Sequence, residues 1–143
     1  MAGGQAIDLA SIGLPLTQNQ LEQMHRLKTG ALLQASVMMG AACGGVAAAG
    51  LAHLSTYGQH LGLAFQVVDD ILDVVADTQT LGKTAGKDAE HDKPTFVSLM
   101  GLQAAQSYAT VLLDKAHAAL ATSGLPRTEA LHALADLVGG RSY

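Results

Sequence analysis

The stretch Phe65-Gln66-Val67-Val68-Asp69-Asp70-Ile71-Leu72-Asp73 sets three carboxylates, spaced D-D-x-x-D, inside an apolar run. An ionised carboxylate near a core costs free energy unless it is paired or binds a cation. On an α-helix each residue turns by about 100°. With Asp69 as zero, Asp73 falls at about 40°, Gln66 at about 60°, Asp77 at about 80° and Asp70 at about 100°. Four acids and an amide then share one face. Phe65, Val68, Leu72 and Val75 take roughly the opposite side, where a core would form. Like charges at this spacing repel. Mg²⁺ would relieve that repulsion, since it binds through one or two carboxylates, several waters and substrate phosphate oxygens. The acids of this face are therefore candidates to hold a divalent cation.

The rest of the chain favours helices. Aromatic residues make up only 3 % and there is no Trp, whereas hydrophobic residues reach 49 %. Strands want β-branched and aromatic side chains, so an Ala/Leu/Gly-rich chain of this kind reads as closely packed all-α. At 143 residues it is long enough for one domain with a real core. A net charge of −4 argues against a nucleic-acid surface. Seven of the 12 acids lie between positions 69 and 92. The single cysteine, Cys43, excludes an internal disulfide, fits a reducing, cytoplasmic setting, and reads as a small buried hydrophobe. Met1 to Ala10 has neither the basic start nor the apolar run of a signal peptide. Ala35 to Ala52 is uncharged and contains Gly40-x-x-x-Gly44. Ala and Gly are weak membrane residues, so this stretch reads as a tightly packed, buried helix pair and not as a span.

Thr17-Gln18-Asn19-Gln20 matches a capping box and predicts a helix running to Gly44-Gly45. A second long helix is expected from about Leu51 to Ala76. Thr78 to Lys93 is polar, with Gly82 and Gly86, and reads as a loop. Pro94 suits the first turn of the next helix. Further helices are expected over Tyr108 to Leu120 and Thr128 to Val138. The loop holds Lys83, Lys87 and Lys93, point charges suited to phosphate. Lys28-Thr29-Gly30 puts a cation inside an otherwise apolar helix, where it needs either an anion partner or a path to solvent along its own stem. Asp8 stands alone. The six histidines show no metal-binding spacing, so no zinc site is supported.

Gly3-Gly4-Gln5, Lys28-Thr29-Gly30, Phe65-Gln66 with Asp69-Asp70-x-x-Asp73, and Gly82-Lys83-Thr84-x-Gly86-x-Asp88 together resemble the ordered motifs of trans-prenyl diphosphate synthases. The nearest likeness is to short-chain bacterial farnesyl diphosphate synthases. That resemblance implies an all-helical bundle of the isoprenoid synthase type, usually a homodimer. It implies Mg²⁺-dependent condensation of isopentenyl diphosphate with an allylic diphosphate (geranyl or dimethylallyl). Asp69, Asp70 and Asp73 would be the second aspartate-rich motif, with Asp69 in direct metal contact. Lys28, Lys83 and Lys93 would hold diphosphate. Thr29 and Gln66 would line the cavity near the developing cation.

The chain carries only the second of the family's two aspartate-rich motifs, and lacks the Gly-Lys/Arg elements that bind isopentenyl diphosphate. Residues 1–143 thus resemble the C-terminal part of one prenyl synthase domain, opening part-way through a helix and ending at Tyr143 like a family C-terminus. Three readings stay open. The chain is half of a synthase, inactive alone; or it is a non-catalytic partner of another synthase chain; or it is a plain helical domain whose motifs are accidental.

Overall fold

The computed structural model describes residues 2–80 and 94–141, the side chains of 76–80 excepted. Among these residues every regular element is a helix: α1 (Ala2–Ala10), α2 (Gln18–His25), a π-helical turn (Arg26–Gly30), α3 (Ala31–Cys43), α4 (Ala48–Thr80), α5 (Phe96–Met100), α6 (Leu102–Ala121) and α7 (Glu129–Gly139).

The Thr17 capping box forms. Thr17 N–H donates to Gln20 Oε1 at 2.9 Å, and Gln20 N–H returns to Thr17 Oγ1 at 3.4 Å. Both orphan amides are thereby satisfied at the start of α2. The rod that follows runs unbroken to Cys43, as its periodicity predicts, with one departure. At the π turn, Ala31 N–H reaches back five residues to the carbonyl of Arg26. Such turns hold one residue more than an α-helical turn and often mark functional sites. Gly45, at φ +65°, then reverses the chain.

α4 is the central element. Leu54, Leu61, Ala64, Val68 and Ile71 are buried along it, mostly against α6. α6 answers with Ala105, Ala109, Ala116 and Ala119, all buried on one stripe. Small side chains at helical spacing let the two axes approach closely. Tyr57 is fully buried, and its hydroxyl donates to the Leu131 carbonyl at 2.7 Å, tying α4 to α7. α4 is buried on more sides than a two-faced helix: Val67 and Gln66 also lie inside, while Phe65, Leu72 and Val75 are only half-buried. α2, α3, α5, α6 and α7 surround it, so the core wraps beyond the predicted apolar face.

Four expectations need correction. α4 runs to Thr80, so Thr78 to Thr80 belong to the helix and not to the loop. α5 begins at Phe96, not at Pro94, because Thr95 makes its own capping box with Ser98. α6 begins at Leu102, six residues before Tyr108, because Gly101 at φ +83° breaks the chain just ahead of it. Ala35 to Ala52 is not a buried pair. In α3 only Ala41 is buried, and Cys43 is exposed. One side of α3 packs on α4, where a Cβ on Gly58 would stand 3.0 Å from Gln34 Cα, while Leu32 and Met39 on other sides are 54 % and 61 % exposed. No helix among the described residues is long and apolar enough to cross a membrane.

Candidate active site

The π turn carries Lys28 and Thr29. Two glycines from neighbouring helices grip its backbone. A Cβ on Gly4 would overlap the backbone nitrogen of Lys28, and one on Gly62 would stand 2.8 Å from Gly30 Cα. One helical turn after Gly4 comes Asp8, so both lie on the same face of α1. Lys28 Nζ donates to Asp8 Oδ2 at 2.6 Å. Asp8, expected to stand alone, is thus a buried partner of Lys28, delivered by the close approach at Gly4. Lys28, Thr29 and Leu32 line a cavity of about 660 Å³ with Ala2 and Gln5 of α1. This brings two predicted site residues together with the Gly-Gly-Gln motif.

On α4 the predicted residues face several neighbours. Gln66 is buried, and its Oε1 lies 3.0 Å from His25 Nδ1. His25 stacks on Phe96 with ring centroids 5.5 Å apart. Burial pushes the His25 pKa below its ordinary value. Asp70 Oδ2 accepts the backbone N–H of Phe96 at 2.8 Å. Burial drives the Asp70 carboxyl up to about 7, opposed by the Phe96 hydrogen bond and reinforced by the charges of Asp73 and Asp69. The Lys28 charge opposes the same shift, more weakly than any of these. Asp69 Oδ1 accepts from Arg141 Nη1 at 2.6 Å, and the Arg141 guanidinium stands 5.0 Å from the centre of the Phe65 ring. Burial raises the Asp69 pKa in spite of that pairing. Asp73 is exposed.

Among the described residues no three His, Cys, Asp or Glu side chains converge into a complete metal cage. The carboxylates instead form a crowded, oxygen-only, partly desolvated set. That chemistry fits Mg²⁺, which needs few protein ligands and completes its shell with water and phosphate. Lys83 and Lys93 lie outside the described residues, as do Gly82, Thr84, Gly86 and Asp88 and the side chain of Asp77.

Sequence reasoning passed over Asp8, His25, Phe96 and Arg141. Asp8 had a signal in its spacing of four from Gly4. His25 had one in its distance of three residues from Lys28. Phe96 and Arg141 act across the fold, and nothing local marks them.

The polyprenyl synthetase family model matches residues 1–124. A probable farnesyl diphosphate synthase of Bradyrhizobium diazoefficiens is 54 % identical over 91 % of this chain and 40 % of its own length. The farnesyl diphosphate synthase of Escherichia coli K12 is 46 % identical over 96 % of this chain and 47 % of its own. The chain therefore spans less than half of these curated relatives. A Helicobacter pylori geranyltransferase, solved with magnesium and isoprenyl diphosphate, superposes with a TM-score of 0.74 at 34 % identity. That likeness covers 96 % of this chain and 45 % of the other. With a family model matched from α1 through α6, and relatives whose names agree with it, this chain belongs to the polyprenyl synthetase family.

Proposed function

We propose that the chain supplies the C-terminal half of a prenyltransferase site of the farnesyl diphosphate synthase type. The reaction joins isopentenyl diphosphate to an allylic diphosphate, geranyl or dimethylallyl. One observation carries this reading: a cation fixed on a glycine-gripped π turn packs against α4, whose carboxylate face a single arginine only partly balances. Such a pair of charges suits a metal-bridged diphosphate. Lys28 binds diphosphate oxygen, joined by Lys83 and Lys93. Asp69, Asp70 and Asp73 hold Mg²⁺, which when bound withdraws charge from the leaving diphosphate. Thr29 and Gln66 line the reaction cavity, and its apolar walls exclude water from the cation. Homologous pairing into a dimer belongs to the same reading.

These residues contain one aspartate-rich motif, so the chain alone is expected to be inactive. The test is incubation with Mg²⁺ and both diphosphates, alone and with a polypeptide carrying the first motif. Product only in the mixture supports the proposal; product from the isolated chain overturns the half-site reading. A second reading, a non-catalytic partner of another synthase chain, draws support from the exposed Leu32 and Met39 of α3. Native mass spectrometry separates the two, since a partner subunit must co-purify with a different, complete synthase chain.

A further inference from the structure

His25 is buried at 6 % exposure, yet it belongs to no motif and none of the roles above uses it. Its ring has two nitrogens in very different circumstances. Nδ1 meets Gln66 Oε1 at 3.0 Å, while Nε2 is buried without a partner. This contrast fixes the protonation. Turning the amide over would set its NH₂ on a bare Nδ1 and move the ring hydrogen to Nε2, a buried donor with no acceptor; amide oxygen on Nδ1–H leaves Nε2 bare instead, so Nδ1 carries the hydrogen. A hydrogen on Nε2 as well would make a buried cation with an unsatisfied donor, the costlier arrangement. The ring is therefore neutral, with Nε2 bare. Phe96 covers one ring face at a centroid distance of 5.5 Å, which limits rotation.

We propose that His25 is a positioning residue for Gln66, fixing the amide with its oxygen turned into the protein. The inference rests on the functional reading above only in what it means for substrate. Gln66 is the residue expected beside the developing cation. With its oxygen committed to His25, the amide keeps its NH₂ as the available polar end. An NH₂ is a donor, suited to a diphosphate oxygen and unsuited to stabilising a carbocation. An amide held this way can donate to an anionic oxygen and offers no oxygen to a cation.

The test is solution NMR on the full chain and two variants. Long-range ¹H–¹⁵N spectra of the histidine rings read the tautomer directly. The expected result is a protonated Nδ1 and a bare Nε2 for His25 from pH 8 down to pH 6. An Nε2–H tautomer with a bare Nδ1 overturns the proposal. The variants separate positioning from packing. His25→Phe keeps the ring stack and loses the donor; His25→Asn loses the stack and keeps a donor near the Nδ1 position. A positioning role predicts that the Gln66 side-chain amide signals stay near wild type in H25N and move to solvent-like values in H25F. Melting temperature should rank the other way, H25F above H25N. If the amide signals instead follow the melting temperature, His25 is only packing. Should H25F fail to fold, the tautomer and H25N still decide. Titration with Mg²⁺ and inorganic pyrophosphate adds the ligand. A shift at the Gln66 NH₂ supports the donor role. No shift anywhere in the chain counts against the functional reading and leaves the His25 result standing.

Discussion

The two charged regions of the site are held in opposite ways. The π turn is fixed before any ligand arrives. Glycines on α1 and α4 clamp its backbone, and Asp8 balances the charge of Lys28. The acidic face of α4 is left out of balance. Asp70 is desolvated and crowded by its neighbours, Asp69 has one half-exposed arginine, and Asp73 faces solvent. A rigid cation and a frustrated anion cluster teach a division of labour. The first sets where a phosphate sits. The second makes a divalent cation welcome, because the metal relieves strain already present.

Breaking the rigid side should cost most. Gly62→Ala places a methyl 2.8 Å from Gly30 Cα, backbone against backbone, with no flexible end to yield. Overpacking of this kind should lower stability by about 2–3 kcal/mol, read by urea denaturation. An unchanged midpoint would mean that the clamp has slack. Asp8→Asn comes next. It leaves Lys28 with a neutral partner, and since the Lys28 side chain is 31 % exposed some water compensates. The expected loss is about 1–2 kcal/mol, below that for a fully buried pair. A loss under measurement error would show that Lys28 leans on solvent instead.

The frustrated side should show itself through pH. The Asp70 pKa is raised, from its unfolded value of 3.8 to about 7 in the fold. Between those values the folded state holds more protons than the unfolded state. The Asp70 contribution therefore favours the fold below about pH 4 and is lost as pH rises toward 7. Mg²⁺ must displace that proton, so its affinity should fall about tenfold per unit below pH 7. Calorimetric titrations at pH 6 and pH 8 measure this, and a pH-independent affinity would remove Asp70 from the metal role. The smallest effect belongs to Arg141→Gln. Exposed ion pairs contribute little, so stability should change by less than about 0.5 kcal/mol. Removing a positive charge beside Asp69 should still tighten Mg²⁺ binding, by about two- to fivefold at low salt. Weaker binding would mean that Arg141 helps to hold the anionic ligand.

Local chemistry was legible in the residues; long-range packing was not. Thr17-Gln18-Asn19-Gln20 announces its capping box because donor and acceptor lie within one turn. The acidic face of α4 is likewise fixed by helical spacing alone. Nothing in the residues around Lys28 marks the π turn, and the glycines packed against it, Gly4 and Gly62, each lie more than twenty residues from Lys28. Cys43 and α3 were misread for a related reason. Composition reports how apolar a helix is and says nothing of how many neighbours this chain supplies to cover it. Arg141 is a surface arginine in sequence, and only the approach of α7 to α4 puts it on Asp69.

The π turn sets the phase between the helices on either side of it. A residue added to one turn of a helix advances everything after it by about 100°. α2 and α3 thus run out of phase with one another. Leu21, Met24 and His25 of α2 are buried, and α3 packs along α4. Deleting one residue from Arg26–Gly30 would restore an ordinary helix and bring the two segments back into phase. It would also swing Lys28 and Thr29, or all of α3, off their neighbours. The rod is a joint between two orientations, and its length in residues is as much a part of the site as any side chain on it.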